Sequence, residues 1–431
     1  MRLLFGDQPL SALFQSMGAQ ILIMAINIST GVITARFLGP DGRGMYAAVT
    51  LWPPLLATLA VAGLNSGIVF QMRRNPSAVS GVAGASLMLG GIHSVIAIGV
   101  GLLLLPILMA RYSTSTVLFA QICLVTVVLN TTQNIVKQAF AGVGQFGRYN
   151  LTHFMPQFFH LVALLSIVLF ATLTPRNAAL ALFASAVATV LVMLPSFIRV
   201  TRPRFKGSWN ELRQLRSYWS RASLMDFVFA FGMYADRLVL IPLLPPSELG
   251  LYAVAFSFSR VIQFVQPAIN SVILSHMSGQ TERDSKQLHD RSCRFLIAAL
   301  VVGCVGLWII AEKLLAFTYG ADFAAASVVF GLLVVEASLG AVSQVTVQLF
   351  LSRDRPGVVS TIQLIVLGIS IAALLVLVPH YGAMGAAISL VGAGAVRWLL
   401  LLGSMKTVLK VSLPRLYLNR DDLQYLLGRL R

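Results

Sequence analysis

Six charged side chains stand inside long apolar stretches of this sequence: Arg237, Arg260, Arg397, Asp226, Asp236 and Glu336. A charge in the middle of a membrane-spanning helix costs roughly 2.5–3.5 kcal/mol or more, so it generally faces a protein interior or a water-filled cavity. The arginines could bind an anion there, whereas the carboxylates could carry a coupling proton or sodium ion. The alternative is that these charges pair with one another and only fix the register of the helices.

Uncharged polar side chains recur at helical spacing in the same stretches and could hydrogen-bond a polar ligand. Gln263 shares a helix face with Arg260, and Asn134 lies between Asn130 and Lys137 on another helix. The alternative is that such residues bond neighbouring helices, as is common in membranes. The residues predicted to line a cavity are Arg260, Arg397, Arg237, Gln263, Asn27, Asn65, Asn270, Asn134 and Gln344.

The composition predicts that lipid surrounds most of the chain. Of its 431 residues 57% are hydrophobic and 11% are charged, whereas soluble domains carry about 25% charged residues. The apolar stretches reach the length of about 20 residues that a spanning helix needs. They are too long for the strands of a β-barrel, which alternate apolar and polar residues over about ten positions. The predicted fold class is therefore all-α and integral to a membrane.

Twelve spanning helices follow from the apolar stretches. Their predicted ranges are 12–35, 45–70, 79–109, 115–139, 150–172, 177–199, 219–243, 249–275, 293–317, 325–351, 356–378 and 383–407.

The distribution of basic residues predicts how these helices are oriented. Most of the 32 lysines and arginines fall in loops on one side, and that side also holds both termini. Cytoplasmic loops carry such an excess, so both termini are predicted to be cytoplasmic. The net charge of +17 is explained by these loops facing anionic lipid. No nucleic-acid partner is predicted.

Three sequence echoes indicate an internal duplication. GMYAAV at 44–49 resembles GLYAVA at 250–255, and LNSGIVFQM at 64–72 resembles INSVILSHM at 269–277. NTTQNIVKQAF at 130–140 resembles GAVSQVTVQLF at 340–350. Each match places the same helix of two six-helix units in register. Because each unit has an even number of helices, both units enter the membrane in the same direction. They are therefore predicted to be parallel repeats around a central cavity.

These observations predict four segments along the chain. Residues 1–200 form an N-terminal six-helix lobe, and 201–218 form a basic amphipathic cytoplasmic linker. Residues 219–408 form a C-terminal six-helix lobe, and 409–431 form a basic cytoplasmic tail.

Enzymatic chemistry finds no support in the sequence. No glycine-rich phosphate loop and no nucleophile–base set can be recognised. Cys123, Cys293 and Cys304 lack metal-ligand spacing. No catalytic residue, metal site or cofactor is therefore predicted, apart from coupling to a proton or sodium ion.

Three motifs carry a resemblance to a known family: RFLGPDGRGMYAAV, ADRLVLIPLLPPSELGLYAVAF and YGAMGAAIS. The sequence resembles the polysaccharide-biosynthesis flippases of the multidrug/oligosaccharidyl-lipid/polysaccharide exporter superfamily. The resemblance implies a two-lobed transporter that flips a polyprenyl-diphosphate-linked oligosaccharide across the bacterial inner membrane by alternating access. It implies exopolysaccharide, capsule or O-antigen assembly, with membrane lipid, the lipid-linked sugar and polysaccharide-assembly proteins such as a polymerase as partners.

Two other functions stay open at this point. A drug/cation antiporter of the same superfamily would need acidic residues where the intramembrane charges here are mixed. A membrane glycosyltransferase or polymerase acting on the lipid-linked sugar commonly has a large outward loop, and all predicted outward loops are short.

Overall fold

The computed structural model describes residues 7–265 and 282–414, and this part of the chain is helical apart from short loops. Fourteen α-helices are defined over these residues. They are α1 Asp7–Thr50, α2 Trp52–Ala60, α3 Leu64–Arg74, α4 Val79–Leu108, α5 Thr114–Cys123, α6 Thr126–Gly142, α7 Phe146–Phe170, α8 Pro175–Thr201, α9 Trp209–Gly232, α10 Ala235–Leu243, α11 Pro246–Ser259, α12 Glu282–Tyr319, α13 Ser327–Ser352 and α14 Pro356–Thr407.

The prediction of twelve spanning helices is confirmed. The helix α1 contains the first predicted span and the first residues of the second, and α14 contains the eleventh and twelfth. Within them, α1 is kinked at Gly39 and α14 at Gly382. Both glycines have positive φ, 63° and 56° respectively, which residues with a Cβ rarely adopt. The predicted eighth span, 249–275, lies within the described residues only as far as 265.

Eight stretches of the described chain are long and apolar enough to cross a membrane. Two of them run through a kink: Gln20–Ala60 covers the larger part of the first and second predicted spans, and Pro356–Thr407 holds the eleventh and twelfth. The predicted seventh and eighth spans are the two that these stretches leave out. Span seven is interrupted between α9 and α10.

The predicted second span is interrupted twice. The first interruption is at Leu51, two residues before the Pro53–Pro54 pair. An interruption is expected there, because proline removes a hydrogen bond from the helix ladder. The second falls at 61–63, between α2 and α3, where Gly63 has a φ of 75°. No proline marks this second break in the sequence.

On α4, small residues face the inside of the helix bundle and several large apolar residues face outward, as expected for a helix in contact with lipid. On α4 the buried face is rich in glycine, alanine and serine, whereas Leu103 and Ile107 are largely exposed. Small residues let helices approach closely, and exposed large side chains suit the hydrocarbon of the membrane.

The chain divides into two compact units, Met1–Gly250 and Leu251–Arg431. The core of the first unit includes Phe140 and Phe197, and that of the second includes Phe350 and Leu349. Phe140 and Phe350 are the matched phenylalanines of the third sequence echo, and both are fully buried. The predicted lobe boundaries at 200 and 219 stay a prediction. Helix α9 packs against α2, α3 and α4 of the first unit.

Candidate functional site

A charged cluster lies inside the second unit, built by α13, α14 and the turn that follows α11. Arg260 begins a short 3₁₀ segment, Arg260–Val265, directly after α11. Its Nη2 lies 2.8 Å from Oε2 of Glu336 on α13, and its guanidinium stacks 4.2 Å from the ring centre of Phe256. Both partners of the ion pair are mostly buried. One of the two possibilities left open by the sequence, an arginine paired with Glu336, is therefore realised.

Arg397 adds a second cation to this cluster. It lies on α14, one turn beyond Gly394, and Gly394 packs close to the side chain of Glu336. Arg397 interacts electrostatically with both Glu336 and Arg260. Its Nε is buried and has no hydrogen-bond partner among the described residues. The cluster thus holds two cations and one anion, an excess of positive charge that suits an anionic ligand.

Arg237 takes part in a local arrangement instead. Its Nε lies 3.6 Å from Oδ1 of the adjacent Asp236, and its Nη2 donates to the carbonyl oxygen of Met233 at 2.8 Å. Its guanidinium also stacks over the ring of Tyr234. These contacts match the structural alternative for the Asp236–Arg237 pair. A role for Arg237 in anion binding or for Asp236 in ion coupling stays a prediction.

Asp226 and His93 lie at the break between α2 and α3. The backbone N–H of Gly63 donates to Oδ2 of Asp226 on α9 at 2.9 Å. Nδ1 of His93 on α4 lies 2.9 Å from the carbonyl oxygen of Ala60. A helix break frees backbone groups that cost several kcal/mol if left unpaired in a membrane. The two side chains satisfy them, which gives Asp226 a structural task that the sequence does not predict.

A polar cavity lies within the first unit. Its volume is about 430 Å³, and it is enclosed by α2, α6, α7 and α8 together with Tyr234. Its polar lining residues are Thr58, Thr126, Asn130, Gln133, Asn134, Lys137, Thr152, His153, Gln157, Ser185 and Tyr234. Of the predicted site residues, Asn134 lines this cavity. No aspartate or glutamate is found among the described residues that line it.

A basic cleft of about 680 Å³ lies near the end of α3. It is lined by Asn65, Ser66, Val69, Phe70, Arg73, Arg74 and Gln138. The predicted site residue Asn65 faces this cleft, and its buried Oδ1 has no partner among the described residues. Arg73 and Arg74 are exposed in the last turn of α3, where cations favourably meet the helix dipole.

The other predicted site residues are not gathered at these places. Asn27 is exposed on α1, and Gln344 is half-buried on α13. Neither lines a cavity among those described above. The side chain of Gln263 and the whole of Asn270 lie outside the described residues. Their roles stay predictions.

Of the polar cavity residues, sequence reasoning named only Asn130, Asn134 and Lys137. Among those it missed are His153 and Gln157. They are four residues apart on α7 and so share one face of that helix. The same spacing on α6 drew attention to Asn130 and Asn134. Applied to the fifth predicted span, it would have identified both.

The fold and these sites define a class: an all-helical, multi-pass membrane protein with charged and polar sites inside its helix bundles. The family follows from a direct comparison. Residues 33–328 match the family described as polysaccharide biosynthesis protein, and the chain belongs to this family. A comparison with curated proteins finds no match.

Solved structures share the fold along nearly the whole chain. The lipid II flippase MurJ in an inward closed conformation is similar with a TM-score of 0.76 and 13% identity, over 97% of this chain and 91% of that one. An inward-facing multidrug resistance MATE family transporter of the MOP superfamily is similar with a TM-score of 0.71 and 16% identity, over 91% of this chain and 96% of that one. A MOP superfamily transporter from Pyrococcus furiosus is similar with a TM-score of 0.61 and 16% identity, over 95% of this chain and 98% of that one. The chain therefore has the fold of the MOP superfamily transporters.

Proposed function

We propose that this protein flips a polyprenyl-diphosphate-linked oligosaccharide across the membrane by alternating access. Membership of the polysaccharide biosynthesis family supports a sugar cargo, and the shared fold supports transport. The observation that carries the proposal is the charged cluster of the second unit. There, the buried Nε of Arg397 has no hydrogen-bond partner in the described part of the chain, and the neighbouring Arg260 is already paired with Glu336.

The chemistry of the cluster suits a lipid-linked diphosphate. Such a cargo needs cations within the bilayer for its diphosphate, hydrogen-bond partners for its sugars and hydrocarbon for its tail. A guanidinium offers a planar fork of donors that matches phosphate oxygens. Glu336 compensates Arg260 when no cargo is bound, so Arg397 is the cation with charge to offer. A cargo phosphate then competes with Glu336 for both arginines.

The finer features belong to the same proposal. The membrane is the bacterial inner membrane, both termini are cytoplasmic, and the pathway assembles an exopolysaccharide, capsule or O-antigen. The protein performs no covalent chemistry, and a proton or sodium ion drives the cycle. A polymerase and other assembly proteins act on the flipped cargo. The excess of basic residues in the predicted cytoplasmic loops supports this orientation.

A drug/cation antiporter is less well supported by the described sites. A cationic drug needs a free carboxylate within the membrane, as an opposite charge stabilises it there. The described cavity of the first unit has no acidic lining residue, and Glu336 is engaged with Arg260.

The test is deletion of the gene followed by analysis of the lipid-linked sugars. Completed repeat units accumulating on the cytoplasmic leaflet support flipping, whereas unfinished sugar units would indicate an enzyme and refute the proposal. Complementation then compares Arg397→Met with Arg111→Met, a matched control because Arg111 is exposed in the loop between α4 and α5. We expect Arg397→Met to lower polymer export at least about tenfold at normal protein level, and Arg111→Met to export normally. Normal export by Arg397→Met would remove the charged cluster from the function.

A further inference from the structure

The polar cavity of the first unit holds side chains that nothing in the described protein satisfies. Asn130, Asn134 and Lys137 on α6 and His153 and Gln157 on α7 line it. None of the five donates or accepts a side-chain hydrogen bond within the described residues, and no carboxylate pairs with Lys137 there. Polar groups within a membrane are costly unless they meet a partner, so this lining is suited to a polar occupant.

The serine and threonine hydroxyl groups around the same cavity behave differently. Thr58, Thr126, Thr152 and Ser185 each donate to a carbonyl oxygen of their own helix, at distances between 2.6 and 2.8 Å. Gln133 donates across to the carbonyl oxygen of Ala186 on α8 at 3.0 Å. These groups stabilise the cavity wall. The free donors and acceptors are therefore concentrated on the facing sides of α6 and α7.

The character of the unsatisfied groups identifies a chemical class of ligand. Three amides can donate to and accept from hydroxyl groups, as a sugar ring requires. Phe183, Leu182 and Tyr234 supply apolar and aromatic wall for the faces of a ring. Lys137 is the one lysine or arginine among the described lining residues, and no acidic residue lines the cavity beside it. A metal cation or a cationic drug is disfavoured, and a negative charge on the ligand is favoured.

We propose that this cavity binds one or two sugar rings that carry a carboxylate, of the hexuronic acid type, from the head group of the cargo. The volume of about 430 Å³ falls in the range of about 300–1,000 Å³ typical of small-molecule sites. The proposal rests on the function proposed above. It adds that the first unit recognises an acidic sugar, apart from the charged cluster of the second unit.

Binding of free sugars to the full-length protein in lipid nanodiscs tests the proposal. The probes are D-glucuronate, D-glucose and inorganic phosphate. Binding of each is measured by calorimetric titration at low ionic strength. We expect D-glucuronate to bind roughly ten- to a hundredfold more tightly than D-glucose, because a charge-assisted hydrogen bond to Lys137 is added. Equal binding of the two sugars would overturn the proposal. So would phosphate binding as tightly as D-glucuronate, or no binding by any probe, which would leave a water-filled cavity only.

Variants separate the roles of the lining residues. Lys137→Met should lower D-glucuronate binding to the level of D-glucose, while Asn134→Ala should weaken both sugars. Lys313→Met is the matched control, because Lys313 is exposed near the end of α12 and is not one of the residues that line the cavity. Unchanged D-glucuronate binding by a folded Lys137→Met variant would contradict the assignment of Lys137 to the sugar carboxylate. That result would stand even if Asn134→Ala failed to fold.

The two proposals fail in different ways. Arg397→Met should retain D-glucuronate binding while losing export, since the charged cluster and the cavity belong to separate units. Selective sugar binding by a wild-type protein whose deletion leaves lipid-linked sugars unchanged would refute flipping and leave the sugar site standing. Loss of export on deletion, with D-glucuronate no better than D-glucose, would leave flipping standing and refute the acidic-sugar site.

Discussion

Gly44 and Gly250, the leading glycines of the two repeated motifs, lie against each other in the first unit. A Cβ added to Gly44 would lie 3.0 Å from the backbone N of Gly250, and one added to Gly250 would lie 3.0 Å from the N of Gly44. The added atoms would also meet the carbonyl oxygens of Pro246 and Pro40 respectively, well inside van der Waals contact. The contact is reciprocal, since each glycine lies against the backbone of the other. At both positions a residue with a Cβ would collide with backbone atoms, so each position requires glycine.

Enlarging either glycine should destabilise the protein. Gly44→Ala and Gly250→Ala push a methyl group into backbone that cannot rotate away, and overpacking costs about 1–3 kcal/mol or more. We expect a lower thermal unfolding midpoint and a lower yield in detergent. Gly91→Ala, on α4 with open space around its Cβ position, should unfold at or above the wild-type temperature. A wild-type midpoint for both motif variants would show that the close approach is absent.

The Arg260–Glu336 ion pair allows its structural and binding roles to be separated. Removing one partner of a buried pair leaves an uncompensated charge and costs about 3–5 kcal/mol, whereas apolar replacement of both is often neutral. Arg260→Leu and Glu336→Leu should each lower the unfolding midpoint, and the double variant should recover it.

Export by the double variant then decides what Arg260 does. We expect export to stay at least about tenfold below wild type although stability returns, because one of the two cargo-facing cations is missing. Recovery of both stability and export would mean that the pair only fixes the packing of α13 against the segment that follows α11.

Two roles of Asp226 can be distinguished by experiment: accepting a hydrogen bond at the helix break, and carrying a coupling ion. Asp226→Asn keeps an oxygen that can accept from the Gly63 N–H but loses the charge. We expect it to fold and export as the wild type does. Asp226→Ala should lower stability by about 1–3 kcal/mol, because a buried donor is left unpaired. Thermal unfolding and polymer export measured together provide the check, and loss of export by a stable Asp226→Asn would instead assign ion coupling to this carboxylate.

The polar cavity of the first unit should be accessible to water. In a background where Cys304 is replaced by alanine, a small water-soluble thiol reagent should label Asn134→Cys and Gln157→Cys, because only a hydrated thiol ionises readily. The matched control is Thr131→Cys, since Thr131 is 2% exposed on the same helix as Asn134. Intact-protein mass spectrometry reads the labelling. Equal labelling at positions 131 and 134 would indicate general opening of the helix bundle. An absence of labelling at both 134 and 157 would indicate that the cavity is dry.

Much of the fold was predictable from the sequence because it depends on properties read along the chain. Hydropathy determined the helices, since each must be apolar over the thickness of the membrane. The glycines at 39 and 382 fell in the predicted turns, where φ is positive. The break at 61–63 was not predictable in the same way, because the groups that stabilise it come from α4 and α9.

By itself, the sequence determined an all-helical membrane protein with twelve spans, an internal duplication and a small set of intramembrane charges. Only the tertiary structure decided that Arg260 pairs with Glu336, that Asp226 accepts from Gly63, and that Asn134, Lys137, His153 and Gln157 surround one cavity. Helical periodicity gives the face on which a side chain lies. Which faces meet depends on how the helices pack, and that depends on small residues and helix breaks whose partners are distant in the chain.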